Sequence, residues 1–170
     1  MKTLALLLNT FLLVLILAPV TGCQTGENSG RKKEASTLRL FLEANQEGTG
    51  GNGAVPIYRQ APVYLNVEKT PFLDEGNVLG SSVVDTLGSF AVEVHFDQHG
   101  TFVLDNITTA NKGRHFAIFG QFGAARWLAA PVITRRIPNG TIVFTPDASR
   151  EEAERLVRGL NSVAKALHKS

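Results

Sequence analysis

A single cysteine, Cys23, leaves this chain of 170 residues without an internal disulfide and without a multi-cysteine zinc site. Neither sign of charge dominates, since 17 Lys and Arg stand against 15 Asp and Glu for a net charge of +2. That balance provides no electrostatic footprint for nucleic acid, and no nucleic-acid partner is expected. Tryptophan occurs once and tyrosine twice, so the 10 phenylalanines must furnish the aromatic packing. No Gly-x-Ser-x-Gly elbow frames Ser81, Ser82 or Ser89, and the glycine-rich stretch at residues 48–53 leads into extended chain rather than a helix. Hydrolase and nucleotide-binding readings therefore lack their motifs. No cofactor is expected, and the chain reads as a non-enzyme.

The hydrophobic residues, 44% of the chain, are unevenly spread. Residues 4–20 form a nearly continuous apolar run behind Met1-Lys2-Thr3, interrupted by Asn9-Thr10. A positive start, an apolar run and small residues lay out a secretory signal peptide. The run sits at the short edge of what a bilayer span needs, and Pro19 disfavours a helix continuing through the interface. It ends in Val20-Thr21-Gly22-Cys23, which resembles the bacterial lipobox, where an apolar residue and two small ones precede a lipidated cysteine. The resemblance implies a thioether lipid on Cys23, cleavage after Gly22 and acylation of the new amino terminus. Two or three acyl chains, palmitate among them, would make the anchor permanent, because each buried CH₂ contributes about 0.8 kcal/mol. The expected partner is thus the membrane, and the expected location is the cell envelope. Gln24 in place of Asp implies the outer membrane, facing the periplasm, in a host with two membranes. Residues 1–22 are read as signal peptide and 23–36 as a polar, flexible tether.

Past residue 36 the pattern alternates. Leu38, Leu40 and Leu42 share one side of an expected strand at 37–43. A second strand is expected at 62–67 with Val63, Leu65 and Val67 on one face, and a helical turn around 75–79. The clearest strand is 90–96, with Phe90, Val92, Val94 and Phe96 inward and Ala91, Glu93 and His95 outward. A helix over 100–111 follows, offering Phe102, Val103, Asn106, Ile107 and Ala110 to a core, and Gly113 closes it. Strands are expected at 114–119 and 141–145, with extended chain over 127–137 broken at Pro131. Ser149 and Glu152 stand in capping-box spacing before a stripe of Ala153, Leu156, Val157, Leu160, Val163, Ala164 and Leu167. The sum is an α+β fold, an antiparallel sheet with helices packed on one face.

Several motifs fall in a telling order. Asn111-Lys112-Gly113 precedes Phe116-Ala117-Ile118; Ala130-Pro131-Val132-Ile133 follows; then come Gly140 with Ile142, Phe144-Thr145, and Glu151-Glu152-Ala153. Together with Pro71-Phe72-Leu73 they resemble the head subdomain of the first periplasmic domain of SecD and SecDF, membrane components of protein export. The resemblance covers about residues 71–167, so 71–170 is read as the head-like domain and 37–70 as its N-terminal strands and glycine-rich loop. It departs at 119–123, where the family's Asp-Gly hairpin is absent. No membrane-embedded acidic proton carrier is present in this sequence, so proton-driven pulling is not carried over. What the resemblance implies is a surface for extended or unfolded polypeptide, or for proteins of the export machinery. A structural or assembly role in an envelope complex unrelated to export is the alternative.

Two residue clusters are candidate sites. Phe122, Arg126 and Trp127 lie in the glycine-rich connection at 119–127, where exposed aromatics beside an arginine suit polypeptide contact, with Trp127 buried against the sheet as the alternative. His95, Asp97 and His99 form His-x-Asp-x-His, whose donors suit zinc on a regular strand. The turn signal at 97–100 breaks their common face, so Asp97 is expected to cap the following helix or to close the turn, and no metal is assigned.

Overall fold

The computed structural model describes residues 35–44 and 51–169. Cys23 and the expected signal peptide lie outside them, as does most of the expected tether. The elements in chain order are β1 (Thr37–Leu42), β2 (Gly51–Ile57), β3 (Val63–Glu68), a 3₁₀ turn (Glu75–Asn77), β4 (Val78–Thr86), β5 (Ser89–Phe96), α1 (Gln98–Ala110), β6 (Phe116–Gln121), β7 (Ala125–Ala129), β8 (Thr141–Phe144) and α2 (Arg150–Leu167). The strands form antiparallel sheets ordered β1-β6-β7 and β4-β5-β8, with β2-β3 as a separate hairpin. The expected α+β class holds, with the sheet divided into pieces.

Alternation dictates which face of each strand is buried. Leu38, Leu40 and Leu42 of β1 meet Phe116 and Ile118 of β6, Val92 and Val94 of β5, and Leu156 and Leu160 of α2 in the main core. The opposite face of the β1-β6-β7 sheet is covered by the β2-β3 hairpin, whose Ile57, Leu65 and Val67 pack with Ala117, Phe41 and Trp127. A sheet buried on both sides explains why Ala117 and Ile118, neighbours in sequence, are both inaccessible. The anticipated break at residue 71 has no counterpart in the packing. β1 pairs with β6, Leu40 N–H donates to Leu73 O, and Phe72 N–H donates to Leu40 O.

The helices begin where their caps dictate. Asp97 Oδ1 accepts from Gly100 N at 2.6 Å, starting α1 two residues ahead of expectation. Its buried positions are Gly100, Leu104 and Thr108, and Phe102 is 67% exposed. The anticipated α1 face holds in part: Val103 and Ile107 pack against the main core beside Leu104, while Phe102, Asn106 and Ala110 are exposed, because the cap sets the helix rotation to centre the inward face on Gly100, Leu104 and Thr108. Ser149 and Glu152 complete a capping box on α2, whose Ala153, Leu156, Leu160 and Ala164 are buried. Strand β4 was not anticipated as a strand; the chain turns helically only over Glu75–Asn77 and is extended from Val78. In β5, Ala91 is buried rather than outward.

Candidate functional site

The connection at 119–127 is a hairpin, not an open loop. β6 and β7 pair directly, Phe122 N–H donates to Ala124 O, and Gly123 takes the positive φ of 95° that the tight turn needs. The hairpin separates the three candidate contact residues. Phe122 turns into the main core and is 3% exposed, which removes it from any outward surface. Arg126 lies over its ring, with the guanidinium carbon 4.9 Å from the centroid. Trp127 emerges on the opposite face, its ring edge-on to Phe41 and to Phe119 at 5.3 Å each.

Arg126 and Trp127 do meet at one place. A cleft of about 400 Å³ is lined by both, with Tyr58, Pro62, Phe119 and Asp147. The β2–β3 connection supplies Tyr58 and Pro62, and the approach to α2 supplies Asp147. Tyr58 is the one non-glycine among the described residues with positive φ, 67°. That strained turn aims the ring outward, where it is 38% exposed. Tyr64, on β3, is 69% exposed nearby in the same hairpin. Reading the sequence missed Tyr58, Pro62 and Phe119 as neighbours of Trp127, because only the docking of the hairpin brings them together.

Ion pairs fix the cleft's polar rim. Arg126 Nη2 lies 2.7 Å from Glu152 Oε2, and its Nε donates to Asp147 O at 3.2 Å. Arg59 donates to Asp147 Oδ2 from its backbone N and its Nε, at 2.9 and 3.1 Å. The Arg126 hydrogen bond and the Ser149 backbone N–H hold the Glu152 carboxyl below its ordinary value. With its charges already neutralised in pairs, the cleft offers an apolar, aromatic lining to an incoming group.

The His-x-Asp-x-His residues are dispersed. Asp97 is spent as the α1 cap, His95 pairs through Nδ1 with Thr141 Oγ1 at 3.0 Å, and His99 lies exposed in the first turn of α1. Among the described residues no group of three or more His, Cys, Asp or Glu is placed to hold a metal ion. A separate pair stands at the end of β1. Burial pushes the Glu43 carboxyl up, but the His115 backbone N–H and imidazole, at 2.7 and 2.9 Å, outweigh it and leave the pKa lowered. This pair ties β1 to β6 and does not adjoin the cleft residues.

An α+β domain of divided antiparallel sheets and two helices is a fold class shared with a known family. Residues 55–165 match the model of the SecDF P1 head subdomain, and the chain belongs to that family. It is 33% identical over 131 residues to the protein translocase subunit SecD of Rhodothermus marinus, an alignment taking in 76% of this chain and 20% of that protein. The chain therefore spans about one fifth of the length of that relative. Among solved structures it resembles a membrane component SecDF that enhances protein export, with TM-score 0.56 and 18% identity over 76% of this chain and 64% of the other. It resembles SecDF in a super-membrane-facing form with TM-score 0.57 and 18% identity, over 76% of this chain and 19% of that one. Identity at this level establishes the fold alone. Among the described residues no helix is long and apolar enough to cross a membrane.

Proposed function

We propose that this chain is a non-catalytic envelope protein, held to the membrane by lipid on Cys23, whose head-like domain contacts extended polypeptide during protein export. Membership of the SecDF P1 head family carries the reading, and the aromatic cleft at Trp127 gives it a surface. The curated relative is named a translocase subunit, which favours export-machinery proteins or unfolded chains as partners. An apolar cleft with its charges already paired selects for side-chain bulk and apolarity, as a binder of diverse sequences needs.

Trp127 is the only tryptophan in the chain, so its emission reports on the cleft without a label. An unfolded, tryptophan-free polypeptide titrated into the full chain should shift that emission and saturate at about 10 µM to 1 mM, the weak range expected when binding must also order the ligand. An unchanged spectrum up to about 1 mM would leave the assembly role as the better reading. Mass spectra of membrane-fraction protein test the anchor separately.

A further inference from the structure

We infer that the cleft between β8 and the arm at residues 131–138 accepts a polypeptide segment as an added β-strand, pairing with Val143 on one wall and Val132 on the other. The inference rests on the polypeptide-contact reading and gives it a second place and a different mode. The cleft encloses about 550 Å³ and has Phe116, Ile133 and Ile142 among its lining residues.

Its walls carry open backbone positions. In an antiparallel pair, alternate residues turn their N–H and C=O away from the partner strand. Phe96 N–H donates to Gly140 O, and the same register places Val94 opposite Ile142 and Val92 opposite Phe144. Val143, between those bonded pairs, thus directs its N–H and C=O to the free side of β8. Across the cleft, Ile133 N–H donates to Arg114 O and Phe116 N–H to Pro131 O. Val132, between them, bridges to His115 as a non-hydrogen-bonded pair and turns its own N–H and C=O outward. No described residue pairs with the backbone of either valine.

Two other sheet edges are covered in part by a side chain or a turn. Asn161 of α2 accepts from Ser81 N at 2.8 Å and donates to Ser81 O at 2.9 Å, occupying the outer edge of β4 as a strand would. Asp147 N–H meets Leu128 O at 2.7 Å on the outer edge of β7. Among the described residues, no backbone or side-chain bond covers Val143 on the free side of β8. The arm is also held off from it, because Ile137 N–H donates to Thr108 Oγ1 of α1 at 2.9 Å and Arg136 pairs with Asp105.

These features specify the occupant's chemistry. Two open ladder positions require an extended backbone with free N–H and C=O groups. Val132 and Val143, 45% and 55% exposed, favour β-branched or apolar side chains opposite them. Arg135 is exposed in the cleft and forms no ion pair among the described residues, so a carboxylate in the segment adds a charge match. Four residues of β8 span about 13 Å, which sets the paired segment at about four to six residues.

The probe is a reduced, carboxymethylated polypeptide that cannot refold, titrated by fluorescence anisotropy against the full chain. Val143→Pro removes the N–H that faces the cleft and no bond to β5, whereas Val143→Thr keeps the backbone. Val143→Pro should weaken binding about tenfold or more, Val143→Thr about twofold at most, and the Val132 and Val143 amides of the wild type should gain exchange protection on binding. Wild-type affinity in a Val143→Pro chain with native circular dichroism would overturn the inference. So would unchanged exchange at both amides, a measurement that decides the matter even if the proline variant misfolds. Concentration-dependent dimers abolished by Val143→Pro would assign the edge to a second copy of the chain and overturn it too. Binding retained in Val143→Pro but lost in Trp127→Ala would remove this cleft and leave the polypeptide reading intact. Absence of any binding by the wild type would end both.

Discussion

Gly159 sits in the middle of α2, where glycine costs about 0.5–1 kcal/mol relative to alanine. Propensity alone therefore favours Gly159→Ala. A Cβ there would lie 2.7 Å from Ser36 Cβ and 2.8 Å from the Ser36 backbone N, and Ser36 is 1% exposed at the entry to β1. Overpacking of this kind costs about 1–3 kcal/mol, so the close approach outweighs the propensity gain. Gly159→Ala should lower the urea midpoint by the equivalent of about 1–2 kcal/mol. A midpoint unchanged or raised would mean that the chain before β1 moves aside. The sequence did not announce this contact, since Gly159 lies beside the apolar stripe and its partner is 123 positions away. Phe122 and Trp127 illustrate the same limit. Both are aromatics near glycines, and only the rotation of the β6-β7 hairpin sends one inward and the other to a cleft.

Elements were legible where one face did all the burying. β5 and α2 carry apolar periods of 2 and 3.6 in their sequences, broken in β5 only by the buried Ala91, and the capping box marked the start of α2 to the residue. β4 escaped because Gly80-Ser81-Ser82 dilutes its alternation and its outer edge is satisfied by Asn161, a partner invisible to local patterning. The α2 N-terminus also clamps the candidate site, as Glu152 binds both its own cap and Arg126 of β7. Those partners lower the Glu152 pKa from an ordinary 4.5, so their stabilisation is present above that value and disappears as pH falls below it through the folded-state value. Glu43, lowered by His115, contributes in the same direction over the same window. Thermal melts across pH 6 to about 3 should show a steep acid limb that Glu152→Gln flattens. An identical limb in the variant would place the acid sensitivity elsewhere.

At the scale of the molecule, the β1-β6-β7 sheet is the middle layer. The main core and α2 lie on one face, and the β2-β3 hairpin on the other. Because β1 is woven into this body through β6, the folded unit must include the chain from about Ala35, and the family match at 55–165 understates it. A chain begun at Ala35 should therefore fold as the full chain does, whereas one begun at Pro71 should lose β1 from the middle layer together with the β2-β3 hairpin that covers it, and fail. The proposed anchor adds membrane attachment without adding to that core. The full chain should then sediment with membranes, and the chain begun at Ala35 should remain in the supernatant with the same circular dichroism and the same affinity for unfolded polypeptide. Cys23→Ser should leave a precursor that retains residues 1–22, visible as the larger mass. An unmodified Cys23 thiol in membrane-fraction protein would rule out the lipid, and a loss of polypeptide affinity on removing residues 1–34 would show that the head-like domain does not act alone.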